Sequence, residues 1–181
     1  MFIKFLGFLI LLLFIVISEH LFHKKTFSRE DKTDLPYSWV FFIILVSAPI
    51  LNNFNIGSFD NQVIGIIGIV LLLVGVWVRM VAMTTLDKYF TLELVTQKDQ
   101  EIIQNGIYKY IRHPAYLGTI TSSLGFGLTQ MNVLVIVLIS TFMFVVYFIR
   151  IRKEEQMMLG VFGEKYQNYL NKTKRLVPFI I

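Results

Sequence analysis

The chain has 181 residues, of which 55% are hydrophobic and only 16% are charged, against roughly 25% charged in an average soluble domain. This composition leaves too little polar surface to cover a globule in water, and it excludes a disordered, fibrous or small secreted protein. The absence of cysteine excludes disulfide frameworks, thiolate zinc sites and cysteine nucleophiles. The net charge of +5 is a clue to the binding partner.

Three apolar stretches in the first half of the chain are long enough to cross a bilayer, for which a helix needs about 20 mostly apolar residues. They are residues 2–18, residues 37–56, and residues 62–86 with Arg79 in the last third. We therefore expect an all-α integral membrane protein whose first 86 residues form three N-terminal transmembrane helices.

The next apolar stretch is too long for a single span. Residues 114–149 contain no charged side chain, and as one helix they would extend about 54 Å, beyond a hydrocarbon core of about 30 Å. The polar residues 129–132 follow two glycines and are the natural turn. The sequence thus predicts a helical hairpin over 115–149, with helices near 115–129 and 132–149, and about five transmembrane helices in all.

Basic residues are strongly divided between the two sides that five spans define. The N-terminal side carries only Lys4, whereas fifteen Lys and Arg fall on the other side and Arg79 lies inside a span. Because cytoplasmic loops are enriched in Lys and Arg, we predict an external N-terminus and a cytoplasmic 19–36 loop, 87–113 segment and tail. Anionic membrane lipids account for this charge, and nucleic acid is not an expected partner.

The 87–113 segment is too long for an idle connection, and it ends in a cluster of polar side chains. Pro114 suits the first turn of the following helix, where its missing N–H costs nothing. Arg112, His113 and Tyr116 therefore gather where the membrane begins. Anchoring at the lipid headgroups is the ordinary interpretation of such residues, and a binding site is the alternative.

Small residues line one face of the same predicted helix, at Gly118, Ser122, Gly125 and Thr129. Such a face lets another helix, or a ligand, approach the backbone closely. Glycines of the third span offer the same close approach within or between chains, namely Gly65, Gly68 and Gly75.

The fifth span ends with Arg150 and Glu154, which are four residues apart and so share a helix face. A surface ion pair is the simple interpretation, but ionisable groups at membrane depth are candidates for function. The tail beyond residue 162 has the pattern of a cytoplasmic amphipathic helix lying at the interface.

Other catalytic and metal motifs are not found in the sequence. His20 and His23 have no third ligand at a motif spacing, and we expect no metal site. There is no Gly-rich phosphate loop, nucleophile elbow or zincin motif, which argues against ATP-driven, serine-hydrolase and zinc-protease chemistry.

Two motifs occur together in the second half of the chain, and their combination is a specific signal of a protein family. Arg112-His113-Pro114-Ala115-Tyr116-Leu117-Gly118 is followed by Glu154-Glu155 after 35 intervening residues. In this pattern, and in Gly106-x-Tyr108 before it and Phe162-Gly163-x-x-Tyr166 after it, the chain resembles the integral-membrane methyltransferases of the isoprenylcysteine carboxyl methyltransferase family. Phospholipid N-methyltransferases are related to that family. The resemblance covers about residues 85–181, and it implies that residues 87–181 form the catalytic region.

The resemblance implies S-adenosylmethionine as cofactor, in a pocket between the last helices and the tail, with S-adenosylhomocysteine as product. It implies that Glu154 accepts hydrogen bonds from the ribose hydroxyls and that Arg150 orients a substrate carboxylate, with Arg112 and Arg150 as the catalytic candidates. Residues 100–103 stand where the family often has His-x-Leu-Val against the cofactor. The implied cofactor-binding residues are Gln100, Glu101, Ile102, Ile103, Tyr108, His113, Pro114, Ala115, Tyr116, Leu117, Gly118, Glu154 and Glu155.

The implied reaction is carboxyl O-methylation of an isoprenylcysteine-like acceptor that enters from the inner leaflet. A carboxylate is already ionised at pH 7 and needs no base, whereas an amine acceptor would need one, for which Glu155 and His113 are available. Methylation of a phospholipid amine, or of a small hydrophobic amine, thiol or hydroxyl, is the alternative within the same class. A non-catalytic membrane scaffold is the alternative outside it.

Overall fold

The computed structural model describes residues 2–22, 50, 52, 56–90 and 101–177, and within these ranges the chain is helical, with two isolated β-bridges and no strand. Most of the predicted second span, most of the 19–36 loop, and Gln100 lie outside the described residues. The described α-helices are α1 (Phe2–Phe22), α2 (Gln62–Leu86), α3 (Pro114–Thr129), α4 (Val133–Phe162) and α5 (Glu164–Lys172), with short 3-10 helices at Asp87–Tyr89 and Gly106–Lys109.

The helix ends follow from local chemistry. The Asn61 side chain accepts a hydrogen bond from the Ile64 N–H at the start of α2, and Asn132 does the same for the first turn of α4. Pro114 occupies the first turn of α3. The predicted turn at residues 129–132 is confirmed, since α3 ends at Thr129 and α4 begins at Val133.

One helix is much longer than predicted. The sequence analysis places this helix near 132–149 and puts Arg150 and Glu154 on one helix face, but α4 continues to Phe162. The apolar pattern stops at Arg150, yet residues 150–159 contain neither Gly nor Pro and favour helix as strongly as the apolar part does. The helix ends only at Gly163, whose φ of +52° is a conformation that glycine adopts without strain.

Helices α2 and α3 contact each other backbone to backbone in an antiparallel pair. A Cβ atom added to Gly75 would lie 2.3 Å from the Ser122 backbone nitrogen, and one added to Gly125 would lie 2.3 Å from the Leu72 backbone nitrogen. A Cβ atom added to Gly118 would lie 2.6 Å from the Arg79 backbone nitrogen. The small-residue faces therefore serve helix packing within one chain.

Helix α1 runs parallel to α2. Gly65, near the start of α2, faces Ile3, and the Phe14 ring lies 6.0 Å from the guanidinium carbon of Arg79, near the end of α2. The end of α1 and the start of α2 thus lie at opposite ends of the bundle. The core between α1 and the other helices is formed by Leu11, Phe14, Leu72, Phe126, Val135, Ile139, Met143 and Tyr147.

By length and composition, α2 and α4 can cross a membrane, and Phe2–Ile17 is a shorter apolar helix. Their outer faces are apolar, as in Trp77, which is 66% exposed. The loop at residues 56–61 closes one end of the bundle by pairing with the α3–α4 turn, where the Phe59 N–H donates to the Met131 carbonyl at 3.0 Å. The polar chemistry gathers at the opposite end.

Gly75→Ala is expected to destabilise the protein by about 1–3 kcal/mol, because the added methyl group forces the α2 and α3 backbones apart. The thermal unfolding midpoint of the detergent-solubilised protein measures this. Gly160→Ala is the matched control, since Gly160 is also helical but has nothing within 4 Å of an added Cβ. It should be neutral or slightly stabilising, and equal shifts for the two variants would contradict the packing argument.

Candidate active site

The segment before α3 is held on both sides. Gly106 turns the chain with φ of +54°, and the buried Tyr108 packs against the end of α2, where its hydroxyl donates to the Ala82 carbonyl at 3.4 Å. From the other side, the C-terminal segment pairs with the backbone that leads into α3. The Arg112 N–H donates to the Lys174 carbonyl at 2.8 Å, and the Lys174 N–H donates to the Tyr110 carbonyl at 3.1 Å.

Glu155 is the centre of a buried ionic cluster. Arg112 Nε donates to its Oε1 at 3.0 Å, while Arg175 donates from Nε to Oε1 at 3.2 Å and from Nη2 to Oε2 at 2.6 Å. His113 Nε2 lies 3.4 Å from the same Oε1. The paired Arg175 contact is the bidentate geometry that guanidinium and carboxylate favour. Glu155 thus joins α4, the α3 entrance and the tail.

Arg112 also donates hydrogen bonds to the tail. Its Nη1 donates to the Leu170 carbonyl at 3.1 Å and to the Thr173 carbonyl and hydroxyl. The side chain is only 9% exposed. These contacts favour a positioning role for Arg112, the residue that the sequence analysis places among the catalytic candidates.

Beside this ionic cluster, a chain of two hydrogen bonds connects Arg150 to Glu154 through Tyr116. Arg150 Nε donates to the Tyr116 hydroxyl at 2.7 Å, and that hydroxyl donates to Glu154 Oε2 at 2.6 Å. Arg150 is buried, whereas the Glu154 side chain keeps 30% of its surface exposed. Within the described residues, the hydrogen bond from Tyr116 and the 3.8 Å contact with His113 Nδ1 both use Oε2 of Glu154, which leaves Oε1 as an acceptor.

Aromatic rings border this chain. The His113 and Tyr116 rings are stacked, with centroids 5.5 Å apart, and the Tyr147 ring lies 4.9 Å from Tyr116. The guanidinium carbon of Arg150 lies 5.7 Å from the Tyr116 centroid. The site therefore offers a carboxylate edge, a buried guanidinium and flat apolar surfaces within one small region.

Two buried tyrosines, Tyr108 and Tyr169, brace the site as neutral phenols. Burial raises the pKa of Tyr169 well above its ordinary value, although Arg112 partly opposes this, and burial together with Glu154 raises the pKa of Tyr108. The Tyr169 hydroxyl donates to the Tyr108 carbonyl at 2.8 Å. This bond fastens α5 to the segment before α3.

The other predicted cofactor residues are placed around this region. Ala115 and Gly118 are buried, Gly118 against the Arg79 backbone of α2. Ile103 packs on the cluster around Met83, while Glu101 is exposed. Pro114 is buried and Leu117 half-buried at the start of α3, and Ile102 is half-buried beside Ile103. Gln100 lies outside the described residues.

Several residues of this region were missed by the sequence analysis. Arg175 and Thr173 bind the ionic cluster, yet in the sequence Arg175 is only one of several basic tail residues and no spacing marks it. Arg79 was noted only as a charge inside a span; its Nη1 donates to the Thr119 hydroxyl at 2.6 Å and to the Ala115 carbonyl at 3.4 Å. Arg79 thereby holds the first turns of α3.

Comparison with known proteins shows which family has this fold and these motifs. The model of the isoprenylcysteine carboxyl methyltransferase family matches residues 67–160, more than half of the chain. The protein-S-isoprenylcysteine O-methyltransferase of Saccharomyces cerevisiae is 30% identical over 125 residues, which are 68% of this chain and 52% of that protein. Its namesake in Dictyostelium discoideum is 31% identical over 116 residues, 63% of this chain and 49% of that protein.

A solved structure has the same fold. The eukaryotic intramembrane Ras methyltransferase ICMT superposes with a TM-score of 0.66 and 23% identity, over 82% of this chain and 58% of that one. Fold and site thus define a helical membrane protein with a polar site at one end of its bundle. The chain belongs to the isoprenylcysteine carboxyl methyltransferase family. It spans about half the length of the curated relatives that it matches.

Arg175→Ala is expected to destabilise the attachment of the tail by about 1.5–3 kcal/mol, the usual contribution of hydrogen bonds to a charged group. Hydrogen exchange of the peptide containing the Arg112 and His113 amides should accelerate, because both amides donate to tail carbonyls. Lys174→Ala is the control, since Lys174 is exposed and pairs through its backbone. If both variants exchange like the wild type, the Glu155 cluster does not hold the tail.

Proposed function

We propose that this chain is a membrane-embedded enzyme that transfers a methyl group from S-adenosylmethionine to a lipophilic acceptor, namely the carboxylate of an isoprenylcysteine-like molecule. The observation that carries the proposal is the chain Arg150–Tyr116–Glu154. It places a buried guanidinium and a partly exposed carboxylate two hydrogen bonds apart at the end of the helix bundle.

Family membership supports this reaction. The matched residues 67–160 include the Arg112–Gly118 motif and the Glu154–Glu155 pair. The relatives from Saccharomyces and Dictyostelium are named protein-S-isoprenylcysteine O-methyltransferases. Since the chain covers about half of their length, the activity comes to this chain as a proposal.

The residues present fit the cofactor chemically. Glu154 Oε1 is an acceptor for a ribose hydroxyl, and the stacked His113 and Tyr116 rings offer a flat surface to a heterocycle or a sulfonium group. Residues 114–118 of α3 and residues 100–103 complete the proposed wall. When bound, S-adenosylmethionine supplies an electrophilic methyl group.

On the acceptor side, the protein has to align the acceptor oxygen with the methyl group of the cofactor. Arg150 binds the acceptor carboxylate and directs one oxygen, because a guanidinium fork matches carboxylate geometry. Orientation of the reacting groups accounts for much of the rate in a displacement of this kind. Since an ionised carboxylate gives up no proton, no general base is required.

The same geometry disfavours an amine acceptor. Such an acceptor needs a base, and Glu155 is held by Arg112 and Arg175 as an ion-pair partner. His113 is buried in the same cluster. We assign Glu155, Arg112 and Arg175 to positioning the α3 entrance.

The orientation in the membrane is part of the proposal. Five spans with an external N-terminus would place the site, α5 and the tail on the cytoplasmic side, where the acceptor enters from the inner leaflet. The parallel course of α1 and α2 supports a returning span between them. The basic residues around the site support a cytoplasmic position.

Glu154→Gln is expected to weaken the binding of S-adenosylhomocysteine by about tenfold or more, because a hydrogen bond to a charged group is lost. Calorimetry on the detergent-purified chain measures the affinity. Glu164→Gln, an exposed glutamate at the start of α5, is the control and should bind like the wild type. A folded wild type that does not bind the product would instead favour the scaffold interpretation.

Arg150→Ala is expected to lower kcat/KM for a farnesylcysteine acceptor by about 10²- to 10³-fold, as removal of a preorganised charged donor typically does. Arg152→Ala is the matched control, because Arg152 is exposed on the same helix and lies over Phe148. Radiolabelled methyl transfer measures both. If Arg150→Ala keeps full activity towards phosphatidylethanolamine and shows none towards the carboxylate acceptor, the chain would be assigned to amine methylation.

A further inference from the structure

The hydroxyl of Tyr116 has two partners of opposite charge. It accepts a hydrogen bond from Arg150 Nε at 2.7 Å and donates one to Glu154 Oε2 at 2.6 Å. Hydrogen bonds with an ionised partner are roughly twice as strong as neutral ones. Bonds in a chain also polarise one another, so that losing one weakens the next.

The ring that carries this hydroxyl is fixed by its neighbours. Tyr116 stacks on the buried His113 and packs against the buried Tyr147, with centroids 5.5 Å and 4.9 Å away. Its main chain lies in the first turn of α3, where the Tyr116 N–H donates to the His113 carbonyl at 3.1 Å. The hydroxyl is therefore a fixed point on α3 to which two side chains of α4 are attached.

The two attached side chains differ in exposure to solvent. Arg150 is 4% exposed, whereas the Glu154 side chain is 30% exposed. Glu154 can thus respond to a ligand at its open edge, and any change in its position acts on Tyr116 and through it on Arg150. No other side chain of the described residues bonds to both of them.

We propose that Tyr116 is a positioning residue that couples the cofactor subsite at Glu154 to the acceptor subsite at Arg150, so that a ligand in one subsite tightens binding in the other. The inference rests on the proposed function. Its physical basis is shared ordering: a ligand that immobilises one end of the chain leaves less freedom to be lost when the other end binds. Linkage makes the effect equal in both directions.

The test measures binding without turnover. Calorimetry gives the affinity of the full chain for S-adenosylhomocysteine, alone and with saturating N-acetyl-S-farnesylcysteine. We expect the acid to tighten product binding by about fivefold or more, the lower end of typical couplings. The carboxamide of the same farnesylcysteine offers no charge to Arg150 and should tighten it little.

Two variants identify the hydroxyl as the carrier. Tyr116→Phe removes both hydrogen bonds and should bring the effect of the acid down to that of the carboxamide. Tyr147→Phe removes a hydroxyl from the adjacent ring, leaves both bonds of Tyr116 in place and should retain the coupling. A purely structural role of Tyr116 would change the affinity for the product without changing its dependence on the acceptor.

The outcomes separate this inference from the proposed function. Product binding that responds equally to acid and carboxamide in the wild type overturns the coupling and leaves the methyltransferase proposal standing. Coupling that persists in Tyr116→Phe overturns the role of Tyr116 alone. A folded wild type that binds no S-adenosylhomocysteine overturns both. The wild-type comparison of the two acceptors needs no variant, so the test survives if Tyr116→Phe fails to fold.

Discussion

The close contact between α2 and α3 is the interaction on which the site depends. Apolar surface gives helices little reason to associate in lipid, so close packing of small residues must supply the attraction. Gly75 and Gly118 let the two backbones meet, and this fixes the position of α3 along α2. The first turn of α3 carries His113 and Tyr116, so any shift in this contact moves both side chains relative to α4.

Burial of charge is the second constraint, and it explains why the tail returns to the site. A charged group removed from water needs a partner of opposite charge and satisfied hydrogen bonds. Glu155 obtains them from Arg112 and Arg175 at once. The tail carbonyls in turn accept from Arg112, so the end of α5 and the residues after it are packed against the Glu155 cluster.

Sequence reasoning found the features that depend on length, period and local chemistry. The hairpin turn followed from comparing an apolar run with the thickness of a bilayer, and the bounds of α2 followed from hydropathy. It did not find the end of α4, because the charged residues after Arg150 are good helix formers. Nor did it find Arg175, since a contact between the tail and α4 has no period, and one Arg among several basic residues has no distinguishing neighbour.

The adjacent glutamates of α4 illustrate what only the fold reveals. Successive residues of an α-helix point about 100° apart, so Glu154 and Glu155 face different neighbours. Glu155 meets two guanidinium groups and is consumed in holding the tail, whereas Glu154 meets one phenol and keeps an open edge. The pair is therefore not a doubled carboxylate in which one member can substitute for the other. One glutamate holds the site together and the other is available to a ligand, a division of roles that the sequence motif alone does not express.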